Sequence, residues 1–219
     1  MNSDSQNLRL MNRLPKTELP TNEPLILASQ SPRRAQLLAA ARYEFTTQRA
    51  SDEAECGICS RESAPELVAR YAYRKAADIV RKNSFGLVLA ADTVAACYGE
   101  ILGKPHDVEH ADSMLRRLSG RKHDVYTGIC VWSIATRRCV VDVVRTKLYM
   151  QPLSEAMLRE YLQSMLWEGK AGAFGYQDGN DWLEVLESGS ESNVVGLPME
   201  RLSEILSDFD TLSIAVESI

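Results

Sequence analysis

Cysteine is scarce and unpaired in number: five residues, scattered through 219. A secreted disulfide framework needs an even set at regular spacing, so the chain reads as one kept in a reducing cytoplasm. Cys56 and Cys59 form one C-x-x-C. A zinc ribbon needs a second pair, and the sequence has none. Long apolar runs are also missing, since none approaches the roughly 18 residues of a membrane span. The polar stretch Met1–Glu23 carries Pro15 and Pro20 but no apolar centre, which excludes a secretory leader and reads as a disordered extension. Basic charge is in deficit, with 25 Lys and Arg against 30 Asp and Glu and a net charge of −5. No overall field draws in nucleic acid, so any polyanion must be met by a local cationic cluster. No glycine-rich Walker loop is present, and no internal repeat or linker divides the chain.

Ordinary globular material remains: 45% hydrophobic and 25% charged residues. That is enough for a single domain over 24–219. Leu25–Ala28 is an apolar run bounded by Pro24 and Ser29, and reads as a buried strand. Ser29-Gln30-Ser31-Pro32-Arg33-Arg34 follows. Ser31 suits an N-cap and Pro32 the first helical position. Strand, polar loop and helix start make an anion site. Arg33 and Arg34 in the first turn oppose the helix dipole unless an anion neutralises them. Asp52-Glu53 stands in a later loop, where paired acids either face water or share a divalent ion with another acid.

Ser63-Ala64-Pro65-Glu66 is a capping box, predicting a helix to about Arg81. Lys75 falls on its apolar stripe between Tyr71 and Ile79, and so either snorkels or aims into a cleft. Leu87–Ala91 is a second buried strand, ending at Asp92 and Thr93. The chain then turns at Tyr98-Gly99-Glu100 and returns to Gly103-Lys104-Pro105. An acid at a strand end in an α/β fold sits where ligands bind, and Lys104 returns beside it. Asp107 caps the next helix. His106 to His110 matches the zinc pattern H-x-x-E-H, but Pro105 and the Asp107 cap put His106 ahead of the helix, which argues against zinc. His123–Trp132 and Val140–Met150 alternate as strands of a sheet open on one face. Glu168–Gln177 holds three glycines with Lys170 and Gln177, either a flexible turn or a close approach to ligand.

Taken together, S-x-S-P-R-R at Ser29–Arg34, D-E at Asp52-Glu53, A-D-T at Ala91–Thr93 and G-E-I-L-G-K-P at Gly99–Pro105 resemble the Maf family of nucleoside triphosphate pyrophosphatases. L-S-G-R-x-H-x-V-Y-T-G at Leu118–Gly128, K-A-G-A at Lys170–Ala173 and N-V-V-G-L-P at Asn193–Pro198 complete the resemblance. It runs from about Leu25 to Leu206. It implies an α/β fold with a mixed, twisted central sheet flanked by helices, and two lobes around a cleft. It also implies cytoplasmic hydrolysis of a nucleoside triphosphate to the monophosphate and diphosphate, aided by Mg²⁺ or Mn²⁺, often in a homodimer.

By the same resemblance Asp92, Glu53, Lys75 and Lys104 are catalytic, with Glu53 and Asp92 at the metal. Ser31, Arg33, Arg34, Thr93, Lys170 and Gln177 bind substrate. Thr93 and Gln177 fit the branch that favours dTTP and UTP. Tyr176 and Asp178-Gly179-Asn180 depart from the usual G-I-Q-G. The alternatives are a 7-methyl-GTP type of pyrophosphatase and a nucleotide-binding module without turnover.

Overall fold

Apolar runs fix the middle of the sheet. The computed structural model describes residues 9–55, 62–187 and 189–216; Cys56 and Cys59 lie outside them. Strand β1 (Leu25–Leu27) is fully buried and pairs in parallel with β2 (Phe45–Thr47) and with the start of β3 (Leu87–Cys97). Parallel neighbours require crossovers. Helix α1 (Pro32–Ala40) and helix α2 (Ala64–Lys82) supply them. Ser63 and Glu66 form the expected capping box at the start of α2.

From β3 onward each further pairing is antiparallel. β3 folds back on β4 (Glu100–Leu102) through Tyr98 and Gly99, at φ 49° and 80°. Positive φ at both central residues gives the tight hairpin whose twist matches its strands. Helix α3 (Val108–Leu118), capped by the Asp107 carboxylate accepting from the His110 N–H, leads to β5 (Lys122–Ser133). β5 and β6 (Arg138–Met150) form one long hairpin. Helix α4 (Glu155–Gln163) and β7 (Leu183–Val185) follow. Then come α5 (Glu191–Val195), α6 (Met199–Ser207), α7 (Phe209–Leu212) and β8 (Ile214–Ala215). Among the described residues the sheet order is β2-β1-β3-β5-β6-β7, with β4 on β3 and β8 on β6.

Strand alternation sends the two faces to different partners. Leu25, Leu27, Leu87, Leu89, Ile129 and Val131 meet α1, α6 and α7, while Ile26, Val88, Ala90, Cys130 and Trp132 meet α2. The end of β5 that was expected to leave one face open is therefore covered on both. A second core gathers at the other end of the long strands, where Ala95, Val125, Leu148 and Met150 pack with α3, α4, Trp167, Phe174 and Trp182. Two lobes result on one continuous sheet.

The expected disordered extension packs from residue 9 onward. Leu10 is buried, and Met11, Leu14 and Leu19 cover the α1–α6 core. The Thr17 N–H donates to the Tyr43 hydroxyl at 3.0 Å, and Glu23 accepts from Gly86, Ser133 and Ala135 in the interior. The spaced apolar residues of this stretch match an apolar face that would otherwise meet water. No described helix is long and apolar enough to cross a membrane.

Gly128 of β5 pairs with Asp92 of β3. A Cβ on Gly128 would lie 2.2 Å from the Val68 carbonyl oxygen and 2.4 Å from its carbon, so α2 sits directly on the strand. Gly128→Ala should lift α2 and cost about 2–3 kcal/mol of stability, read by urea denaturation. His123 is 3% exposed and its Nε2 has no partner among the described residues. Burial pushes it down to about 4, against weaker opposition from the Arg121 carbonyl and Asp124. Between pH 6.5 and 4 the unfolded histidine takes a proton that the folded one refuses, so stability falls as pH falls. The expected loss is up to about 3 kcal/mol from pH 7 to pH 4. His123→Phe should flatten that slope in the same denaturation series.

Candidate active site

The cleft between the lobes has a volume of about 470 Å³, within the range that holds small ligands. One wall is built by β3. Asp92 stands at a gap in the burial of β3, between the buried runs Leu87–Ala91 and Val94–Ala95. α2 runs across it, and the capped helix carries Lys75 on the inner stripe. The Lys75 ammonium, 6% exposed in its side chain, lies 2.6 Å from Asp92 Oδ1 and 2.7 Å from Glu55 Oε1. Two carboxylates thus converge on one buried cation.

The second carboxylate is not the one expected. Asp52–Glu55 forms a short 3₁₀ turn, in which residues three apart share a face. Asp52 and Glu55 therefore line the cleft together. Glu53 points to a neighbouring hollow among Tyr73, Arg74, Ala77 and Arg81, and its backbone carbonyl accepts from Arg74 at 2.6 Å. Glu55 replaces Glu53 as the acid facing Lys75 and Asp92. Burial alone would raise the Glu55 carboxyl, but the bonded Lys75 ammonium, with Lys104 and Arg34 nearby, leaves its pKa below the ordinary value.

Cations line the rest. Ser31 and Arg33 come from the start of α1, whose first turn has no acidic residue. Arg33 reaches across the cleft and donates to the Gly169 carbonyl at 3.1 Å, joining the lobes. Lys104 stands at the mouth with much of its surface open. The surrounding walls still remove enough water to lower its pKa, and Lys75 and Arg34 add to that against the pull of Glu55 and Asp92. Burial lowers Arg33 as well, with Asp178 opposing. Cations held this way gain from an entering anion, because it replaces the charge that lost water had stabilised.

Arg34 behaves differently from its neighbour. All three of its nitrogens donate to protein: to the Gly196 carbonyl at 2.7 Å, Ser29 Oγ at 3.0 Å and Thr93 Oγ1 at 3.0 Å. It pins α1 to β3 and to the Asn193–Pro198 stretch. The Thr93 hydroxyl is likewise engaged, with Thr127 Oγ1 at 2.9 Å and the Gly196 carbonyl at 3.5 Å. Its hydroxyl braces the floor of the cleft, which Thr93 also lines. Gln177 and Tyr176 line the far wall. Lys170 also lines it, but its ammonium is bonded to the Asp178 carboxylate. Burial lowers Lys170, and that bond opposes the shift.

Residues 24–209 match the family described as Maf-like protein. The chain belongs to the Maf-like family. A dTTP/UTP pyrophosphatase of Rhodopirellula baltica is 66% identical over 205 residues, covering 91% of this chain and 90% of that protein. A dTTP/UTP pyrophosphatase of Geotalea uraniireducens is 39% identical, covering 83% and 93%. A solved HAM1 protein from Coxiella burnetii is 16% identical with a TM-score of 0.48, covering 85% of this chain and 99% of that one.

Within this Maf-like chain, sequence reasoning passed over Glu55 and gave Asp178 no role. Glu55 had a signal: it lies three residues after Asp52, the spacing of one 3₁₀ face. Asp178 had none beyond its departure from the family pattern. Thr127 and Asn193 were hidden inside motifs. Both are fully buried, and Asn193 ties β5 to β6 through the Val125 carbonyl and Thr146 Oγ1.

Proposed function

We propose that this Maf-like chain hydrolyses nucleoside triphosphates to the monophosphate and diphosphate, with dTTP and UTP favoured. The observation that carries the reaction is the convergence of Asp92 and Glu55 on Lys75, inside a cleft otherwise lined by Arg33, Lys104 and the start of α1. The names of the two relatives support the pyrimidine preference.

In this reading Arg33, Lys104 and the free N–H groups of the first turn of α1 hold the phosphate chain. A water attacks the α-phosphorus, forming a new P–O bond. The bond from that phosphorus to the oxygen bridging toward the β-phosphorus breaks, and diphosphate leaves with its electron pair. Asp92 accepts the proton of the water. Lys75 sits between the two carboxylates, offsets their repulsion and fixes where they point. Asp92 and Glu55 suit Mg²⁺ or Mn²⁺, since such an ion takes one or two carboxylates and completes its shell with phosphate oxygens. When bound it supplies positive charge to the phosphates and acidity to the water. Gln177, whose amide both donates and accepts, reads the pyrimidine edge. Among the described residues the thiols Cys97, Cys130 and Cys139 are free, which supports a cytoplasmic setting, with a homodimer as the assembly the resemblance implies.

The test is diphosphate release from a panel of triphosphates. Asp92→Asn should lower kcat by about 10²-fold or more on dTTP while the fold is kept. Parent-like turnover by that variant would remove Asp92 from the chemistry. Glu53 and Glu55 give a second comparison. Glu55→Gln should lower kcat/KM by about 10²-fold. Glu53→Gln should stay within about threefold of the parent, because it faces away from the cleft. The reverse order would return the role to Glu53.

A further inference from the structure

Behind the far wall of the cleft lies a buried polar cluster that the reaction does not use. The two carboxylate oxygens of Asp178 are divided between two elements. One is bonded to the Lys170 ammonium, and the other accepts from the Tyr161 hydroxyl of α4 at 2.6 Å. The Asp178 and Lys170 side chains are only 8% and 10% exposed. Tyr161 packs edge-on against Trp182 in the second core.

We infer that Asp178 is a specificity-determining positioning residue, holding the turn that presents Gln177 to the nucleotide base. This inference rests on the pyrimidine reading above. The Asp178 N–H closes on the Gly175 carbonyl at 3.4 Å, so Gly175-Tyr176-Gln177-Asp178 is a four-residue turn with Gln177 at its third position. The Asp178 carboxylate also lies against Gly175. A Cβ there would come within 2.4 Å of it, so a side chain at the turn's first residue would displace that carboxylate. Both ends of the turn thus meet one carboxylate, and that carboxylate is anchored to α4 and to Lys170. Gln177 is the adjacent residue and lines the cleft. Its backbone can shift only if the bonds of Asp178 are broken. The anchoring groups are shielded from water, where an unmade hydrogen bond is costly. The same arrangement gives the ammonium of Lys170 to the wall. Contact with phosphate then falls to Arg33, Lys104 and the start of α1.

The experiment compares kcat/KM for UTP and for ATP in the parent, Asp178→Ala and Tyr161→Phe. The parent should prefer UTP. Asp178→Ala should reduce the UTP/ATP ratio about tenfold, the effect of roughly 1.4 kcal/mol at the base. Tyr161→Phe removes one hydrogen bond and keeps the ring packing, so it should reduce the ratio about threefold. It also carries the decision if Asp178→Ala does not fold. An equal fall for both nucleotides with the ratio kept means a merely structural role and overturns the inference. An equal drop in KM for both means that Asp178 only masks the Lys170 charge, and overturns it too. A parent without preference for UTP removes the base reading and this inference together, whereas a parent with preference and variants that keep it removes the inference alone.

Discussion

A buried ammonium between two carboxylates sets the terms for the rest of the molecule. Lys75 is withdrawn from water by the packing of α2 on the sheet. An isolated charge in that position costs several kcal/mol, so its partners must arrive in the right place or the helix cannot sit down. Asp92 arrives on a strand and Glu55 on a 3₁₀ turn. The strand position is fixed by the antiparallel ladder to β5, which runs without a break past Asp92, while β1 supports β3 as far as Leu89. The helix position depends on Gly128, the residue paired with Asp92, whose missing side chain lets backbone meet backbone. Glycine weakens a strand by roughly 0.5–1 kcal/mol relative to alanine. Here that loss is offset by a close approach that places a lysine against an acid.

The cleft lies where it does because β3 and β5 are longer than either lobe. The first half of β3 and the second half of β5 are covered by α1, α2 and α6, and the opposite ends of the two strands by α3 and α4. Between the two cores the apolar packing is interrupted by a polar seam: Thr93, Thr127, Arg34, Asn193 and the Gly196 carbonyl. Every one of these groups is bonded within the seam, so it is rigid rather than wet. It explains why N-V-V-G-L-P matters without touching chemistry. The Gly196 and Asn193 carbonyls of this stretch accept from Arg34 and Thr127, and α5 is held to β5 and β6 through the Asn193 amide N–H groups.

Much of this was legible before any coordinates. Apolar runs located β1 and β3, the capping box began α2, and Asp107 began α3, because each of those signals is local. Asp92, Lys75, Lys104 and Arg33 come together in the cleft as the motifs implied. What failed depends on geometry that sequence spacing only constrains. Glu53 and Glu55 are both plausible acids until the turn is known to be 3₁₀ rather than extended. Arg34 and Thr93 do line the cleft, but that each also bonds to other protein groups could not be read from spacing. The stretch 9–23 read as disordered because its polarity is high. Its few apolar residues, Leu10, Met11, Leu14 and Leu19, are nevertheless spaced to cover one face. A neutral reading of composition misses such a pattern, since burial of four side chains needs no overall hydrophobicity.

Charge in the cleft is arranged rather than accumulated. The chain carries a net −5, so its long-range field opposes a triphosphate. At physiological salt that field is screened beyond about 8 Å, and binding falls to groups in contact. A wall of unopposed cations would bind polyanions tightly, diphosphate included, and would release product slowly. The chain instead matches Lys75 with Asp92 and Glu55 and matches Lys170 with Asp178, leaving Arg33 and Lys104 as the cations whose burial is least compensated. Arg33 enters the cleft from the start of α1 and Lys104 from the segment that follows β4. A bound phosphate chain would then be gripped at two points and left with acids beside the reacting phosphorus. In the proposed reaction those two cations would offset the charge that moves onto the leaving diphosphate.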